Sequence, residues 1–168
     1  IALFLTMLCC IVLGMGVPTT ANYCIMAATC APILVRMGVP NVAAHFFVFY
    51  FGIVADITPP VALAAYAGAA IAQANPMKTA LTATKLAIGA FIVPYIFCMN
   101  PAMLLIDVTF VSMIQIIITS FVGIFGVAAA LNGFLFKHMN PVIRVLILVA
   151  GIMMMDPQIV TDIIGIGL

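Results

Sequence analysis

The chain contains no glutamate, and charged residues of all kinds make up only 5% of its 168 positions. In an ordinary soluble domain about a quarter of the residues are charged. Here 67% of the residues are hydrophobic, and the mean hydropathy is +1.42. A folded chain with so few charges exposes a surface that water does not wet. The composition therefore argues against a soluble domain and predicts a membrane protein.

The sequence also lacks the signatures of several other protein classes. It has no phosphate-binding loop, and its net charge of +1 comes with no basic patch for nucleic acid. The five cysteines lie in apolar segments without CxxC or Cys/His spacing, so we expect them to pack rather than to bind metal. Two histidines and four acidic residues are spread too widely for a catalytic cluster. We therefore expect neither an enzyme nor a bound cofactor.

Long runs without any charge occupy most of the chain. Each reaches the roughly 20 residues that cross a bilayer as a helix; the runs are residues 1–35, 57–77, 86–106 and 108–136. The chain begins at Ile1, already inside an apolar run, without an initiator methionine or a basic signal-peptide region. We therefore predict an all-α polytopic membrane protein, and we expect this chain to be the later part of a longer polypeptide.

The first apolar run is interrupted by the sequence GMGVPTT. Residues 1–13 before it reach only about 20 Å as a helix, roughly two-thirds of the hydrocarbon core. A second apolar segment, residues 21–35, follows the interruption and ends at RMGVPN, which has the composition of an aqueous loop. The pattern predicts a re-entrant hairpin with its tip at residues 14–20.

A second interruption, ADITPP, divides the next span into residues 42–55 and 61–73. Pro59 and Pro60 have no N–H donor, and Pro59 disfavours helical dihedral angles at Thr58. Open backbone at membrane depth is tolerated only where it is buried in protein or lines a cavity. We therefore predict a helix broken at residues 56–60, close to the hairpin tip, with a polar site between the two breaks.

Two short, interrupted spans in succession are typical of the binding site of a secondary transporter. Helix N-termini at the breaks suit an anion, whereas unwound carbonyls and Thr or Asn oxygens suit a sodium ion. Asp56 could be an ion ligand or could cap the following half-helix, and both interpretations stay open. Thr19 and Thr58 are the candidates for sodium ligands. The predicted substrate- and ion-binding residues are Gly14, Gly16, Thr19, Thr20, Asn22, Asp56, Thr58, Pro59 and Pro60.

The remaining sequence predicts further helices. One covers residues 78–98 with a kink near Pro94, and another follows within residues 104–131. Residues 142–155 could form a short span or a surface segment, and we expect Asp107, Asp156 and Asp162 to lie near membrane interfaces. We accordingly divide the chain into a transport-site repeat, residues 1–77, and C-terminal transmembrane helices, residues 78–168.

Basic residues in the loops predict the orientation of the chain. Arg36 follows the hairpin, and Lys78, Lys85, Lys137 and Arg144 fall on the opposite side of the membrane. Because cytoplasmic loops are enriched in Lys and Arg, the side with four basic residues should be cytoplasmic. The hairpin would then open toward the outside.

The segments GMGVPTTANY, APILVRMGVPNVAAHFFVFYFGIVADITPPVALAAYAGAAIA and NPMKTA resemble the C-terminal repeat of the large membrane subunit of TRAP transporters, the tripartite ATP-independent periplasmic transporters. The resemblance is strongest to fused permeases that work with TAXI-type binding proteins, and it covers residues 10–80 well. The matching positions are Gly14, Gly16, Pro32, residues 38–40 and residues 58–60. Where the sialic-acid branch has an Asp after the tip glycines, this chain has Val17, so that substrate is doubtful here.

The resemblance implies one inverted repeat of an elevator-type transporter that imports organic acids with a sodium gradient. It further implies a periplasmic substrate-binding protein, a small membrane subunit or its fused equivalent, and a matching N-terminal half of the permease. The expected location is the inner (cytoplasmic) membrane of a prokaryote. The alternatives are another ion-coupled carboxylate symporter, a channel, or a structural membrane subunit.

Overall fold

The computed structural model describes residues 1–106, 108–134, 138–156, 158, 161–162 and 165. Over these residues it is built from helices, with a single β-bridge between Phe134 and His138 and no strand. Two helical stretches, Pro76–Met99 and Phe110–Asn132, are long and apolar enough to cross a membrane. Shorter apolar helices accompany them. The prediction of an all-α membrane protein is confirmed, whereas the elevator-type repeat stays a prediction.

The chain forms two compact units, Ile1–Cys98 and Met99–Leu168. The first unit thus extends beyond residue 77, where the sequence places the end of the transport-site repeat. That functional division stays a prediction. The helices of the first unit are α1 (Ala2–Gly14), α2 (Thr19–Thr29), α3 (Ala31–Arg36), α4 (Asn41–Val54), α5 (Leu63–Ile71), α6 (Pro76–Leu86) and α7 (Ile88–Met99), with a 3-10 turn at Ala55–Ile57.

The first unit is organised around α4, which packs against both arms of the hairpin. The second arm is split at Cys30 into α2 and α3, and Pro32 in the first turn of α3 has no N–H to continue the ladder. Phe47 and Phe51 of α4 are fully buried. Their rings make edge contacts with Tyr95 of α7, at centroid distances of 5.4 and 5.8 Å. These aromatic contacts hold α7 against α4.

The predicted helix of residues 78–98 differs from the observed one at its start and in its middle. It begins earlier, at Pro76, because the Asn75 side chain accepts a hydrogen bond from the Lys78 N–H at 3.0 Å and caps the first turn. The helical ladder is interrupted at Ala87, between α6 and α7, whereas Pro94 lies buried inside α7. A kink at Pro94 stays a prediction.

The second unit contains a 3-10 turn at Pro101–Leu104 and two helices, α8 (Phe110–Asn132) and α9 (Pro141–Met155). The two helices cross closely, because a Cβ added to Gly123 would lie 2.7 Å from the Gly151 carbonyl oxygen. At 15 residues, α9 spans about 22 Å, so the choice between a short span and a surface segment stays open. Asp107 and Lys137 lie outside the described residues.

Candidate transport site

The hairpin tip joins the end of α1 to the start of α2. Gly16 has φ = +74°, a left-handed conformation that favours glycine. Pro18 precedes α2 and supplies no side-chain cap, so the first N–H groups of α2 are left without a side-chain acceptor. Thr19 and Thr20 are exposed there. The tip therefore presents backbone donors at the positive end of a helix, which is an arrangement that suits anions.

The predicted helix break is present between α4 and α5. After the 3-10 turn, Thr58 is extended (φ −106°, ψ 126°), as expected for a residue before proline. The Pro59–Pro60 peptide bond is cis, and Ala62 is left-handed with φ = 37°. The second half-helix begins at Leu63, slightly later than the predicted residue 61, because the open backbone continues to Ala62.

Three hydroxyl groups lie within hydrogen-bond distance of the carbonyl oxygens that the break leaves open. Thr58 Oγ1 donates to Val54 O at 2.6 Å. Thr84 Oγ1 of α6 lies 3.1 Å from Ile57 O and 2.9 Å from Ala80 O of its own helix, and its one proton serves either of them. Tyr66 Oη of α5 donates to Pro60 O at 2.7 Å. Sequence reasoning missed Thr84 and Tyr66, although a hydroxyl in an otherwise apolar helix is a usable signal. These bonds allow an open backbone to persist in apolar surroundings.

The hairpin contacts α4 about one turn before the helix break, so the two interruptions lie close together. Asn22 of α2 is 2% exposed, and its Nδ2 donates to Gly52 O of α4 at 3.0 Å. Gly14, at the end of α1, completes the contact. A Cβ on Gly14 would lie 2.8 Å from Asn22 Nδ2, 2.9 Å from Gly52 O and 3.0 Å from the Ala55 Cβ. Sequence reasoning missed Gly52, which looks like an ordinary packing glycine.

The amide oxygen of Asn22 makes no hydrogen bond at this contact. Asn22 Oδ1 is buried and has no hydrogen-bond partner among the described residues. A buried amide oxygen without a donor is uncommon, because leaving it unpaired costs free energy. A neutral oxygen of this kind is a ligand that a hard cation accepts. The residues present therefore fit a sodium ion at the meeting of the two breaks.

Asp56 lies in the 3-10 turn and is partly buried. It lines a cleft of about 570 Å³, together with apolar side chains from α4, α5 and α7. The residue that caps α5 is Ala62, without a side-chain hydrogen bond, so Asp56 does not cap that half-helix. Within the described part of the chain, no group donates a hydrogen bond to its carboxylate. This geometry argues against the capping interpretation, and the ligand interpretation stays a prediction.

The predicted site residues therefore fall into three groups. Gly14 and Asn22 form the buried contact with α4, whereas Gly16, Thr19 and Thr20 lie on the exposed surface of the tip. Asp56, Thr58, Pro59 and Pro60 form the break. Their binding of substrate or ion stays a prediction.

A re-entrant hairpin that meets a broken helix in an all-helical membrane protein is typical of a secondary transporter. Comparison with known families agrees, because residues 1–113 match the family described as "Tripartite ATP-independent periplasmic transporter, DctM component". The match covers more than half of the chain, and the chain belongs to this family. It is therefore part of the large membrane component of a TRAP transporter, and not an enzyme. No curated protein and no solved structure matches the chain.

Proposed function

We propose that this chain supplies part of the ion and substrate site of a TRAP-type permease that imports organic acids with a sodium gradient. The observation that carries the proposal is the contact between Asn22 and Gly52, which lies close to both breaks and contains an unpartnered buried oxygen. Interrupted helices that converge in a membrane protein supply carbonyls and dipole ends for ions and substrates. Family membership favours such a permease over a channel or a structural subunit.

The sodium ion would be held by neutral oxygens on both sides of this contact. Asn22 Oδ1 has no described donor, and Thr58 Oγ1 uses its proton on Val54 O, which leaves its lone pairs for a cation. Thr19 contributes an exposed hydroxyl at the tip. Asp56 would add a negative charge at the adjoining cleft. Oxygen donors of these types suit a hard monovalent cation.

The carboxylate of the substrate would lie at the start of α2. An anion can approach the uncapped N–H groups closely, because Gly16 has no side chain and open space surrounds it. The cation held nearby would attract the same carboxylate, so binding of sodium and substrate would be coupled. This coupling explains how a sodium gradient could drive uptake.

The complete transporter would need further parts. A periplasmic substrate-binding protein, of the TAXI type by resemblance, would deliver the organic acid to the permease. A small membrane subunit or a fused equivalent, and an N-terminal half with the matching repeat, would complete the assembly in the inner membrane of a prokaryote. The description of the family as tripartite and periplasmic supports these partners.

Replacing Thr58 by Val tests the sodium site. Val keeps the shape of Thr and removes its oxygen, so the half-saturating sodium concentration for uptake should rise about tenfold, equivalent to ~1.4 kcal/mol. Thr19→Val should shift it in the same direction. Uptake into proteoliposomes containing the complete transporter is measured at graded sodium and normalised to incorporated protein.

Thr82→Val is the matched control for this experiment. Thr82 Oγ1 donates to Lys78 O at 2.8 Å, which is the same i to i−4 bond that Thr58 makes with Val54. Thr82 is exposed on α6, away from the break. Its loss should leave the sodium dependence unchanged. If Thr58→Val and Thr82→Val lower protein abundance alike and neither changes the sodium requirement, Thr58 is a structural residue only.

A further inference from the structure

Helix α6 has a buried side of small residues and a basic stripe on its exposed side. Ala80 is fully buried and belongs to the same cluster as Ala65 of α5. Lys78, Thr82 and Lys85 are all exposed. They lie four and three positions apart, so they follow one another along a single side of the helix. We call these three residues the basic stripe.

Large apolar side chains of α6 are exposed in addition to the basic stripe. Met77, Leu81 and Leu86 are 48%, 58% and 68% exposed. Lys78 and Leu86 line the same open cleft, which has a volume of about 440 Å³. A helix that exposes both lysines and large apolar side chains is typical of a membrane surface. A phospholipid has the same combination of a charged head group and apolar chains.

The two lysines of the stripe have no counter-charge within the first unit. Asp56 is the single acidic residue among residues 1–98. It lines the cleft between α4, α5 and α7, and it forms no ion pair with either lysine. A lysine is costly in the hydrocarbon core, so both ammonium groups should lie at the level of the lipid head groups. The negative charge that balances them therefore comes from outside this unit.

The threonines of α6 add no free proton to this surface. Thr82 Oγ1 donates to Lys78 O at 2.8 Å, and Thr79 Oγ1 donates to Asn75 O at 3.0 Å. The attraction for an anion therefore comes from the two ammonium groups, which are seven residues or about 10 Å apart along the helix. Because the helical ladder is interrupted at Ala87, α6 can follow the membrane surface without sharing the direction of α7.

We propose that the basic stripe of α6 binds the phosphate of an anionic phospholipid, with Leu81 and Leu86 against its acyl chains. Anionic lipids of the cytoplasmic leaflet attract lysines beside a membrane span. The orientation predicted from the basic residues places Lys78 and Lys85 on that side. The site uses none of the residues of the two breaks, and it does not depend on the proposed transport function.

Thermal unfolding of the complete transporter in a neutral detergent tests this proposal. Phosphatidylglycerol is added in graded amounts, and zwitterionic phosphatidylcholine is the control lipid. We expect phosphatidylglycerol to raise the unfolding temperature in a saturable way. Lys78→Gln and Lys85→Gln should each raise the half-saturating concentration of phosphatidylglycerol about fivefold, which is the loss expected for one contact between a lysine and an anionic lipid.

Arg36→Gln is the matched control, because Arg36 is exposed but is the single basic residue of α3. It should leave the half-saturating concentration unchanged, and Lys78→Arg, which keeps the charge, should do the same. An equal half-saturating concentration in the unaltered protein and in both Gln variants would overturn the proposal, as would equal stabilisation by phosphatidylcholine. Stabilisation by inorganic phosphate that both Gln variants lose would assign the stripe to a free anion and would also overturn it.

Discussion

At the scale of single residues, the contact between Asn22 and Gly52 shows why this crossing requires glycine. A Cβ on Gly52 would lie 3.0 Å from Asn22 Nδ2 and 3.2 Å from Met26 Sδ, both tighter than most real contacts. Gly14 is similarly enclosed by Gly52 O. By contrast, a Cβ on Gly68 of α5 would meet no atom within 4 Å. A methyl group would therefore be crowded at Gly52, before the break, and would have room at Gly68, after it.

Replacing Gly52 by Ala should displace the Asn22 amide and lower the free energy of unfolding by roughly 1–3 kcal/mol, because an extra methyl group overpacks the contact. Gly68→Ala should be neutral or stabilising by up to about 1 kcal/mol, because alanine favours the helix. Thermal unfolding of both variants in detergent measures the difference. Equal effects of the two substitutions would show that the contact at Gly52 is not tight.

At the scale of helices, Arg144 ties the start of α9 to the end of α8. Its Nη2 donates to Leu131 O at 2.6 Å and its Nε donates to Ala130 O, so one guanidinium bonds two carbonyls of the last turn of α8. A positive charge also interacts favourably with the C-terminal end of a helix. Arg144 therefore joins the end of α8 to the start of α9, in addition to the close contact between Gly123 and Gly151.

Arg144→Met should lower the free energy of unfolding of the protein by about 1–3 kcal/mol, because two carbonyls lose their charged donor. Arg144→Lys should recover part of the loss, since an ammonium group cannot reproduce the fork of a guanidinium. Arg36→Met is a control, because Arg36 at the end of α3 is also exposed but its side chain bonds no carbonyl among the described residues. A thermal shift that is as large for Arg36→Met as for Arg144→Met would contradict this assignment.

At the scale of the whole molecule, the orientation in the membrane still rests on the distribution of basic residues. Arg36 ends α3, and Lys78 lies in the first turn of α6, beyond the broken span. Both residues are exposed and belong to the first unit. The broken span between them should place the two on opposite sides of the membrane.

Cysteine labelling in intact cells tests this orientation. A membrane-impermeant thiol reagent should modify Arg36→Cys from outside and should reach Lys78→Cys only after permeabilisation. The native cysteines are first replaced, since Cys9 and Cys24 are exposed in the isolated chain. Modification of Lys78→Cys in sealed cells, with Arg36→Cys protected, would establish the inverted topology instead.

The sequence by itself determined the class of protein, the hairpin and the position of the helix break. These properties are local: apolar runs need only composition, and Pro59, Pro60 and Gly16 constrain their own backbone wherever they lie. The sequence also identified Asn22 and Thr58 as polar residues beside the breaks. It did not find the interruption of the helix at Ala87, because no breaker residue marks that position, and the kink near Pro94 stays a prediction.

The tertiary structure alone decided which polar groups meet. Asn22 and Gly52 are 30 positions apart, Thr84 and Ile57 are 27 apart, and Gln115 and Asp162 are 47 apart. No local pattern pairs such residues, because each bond depends on how separate helices pack. Packing likewise left one oxygen unpartnered on Asn22 and on Asp162. Burial makes these atoms costly to leave unpaired, and only the packing of the helices determines which atoms are buried.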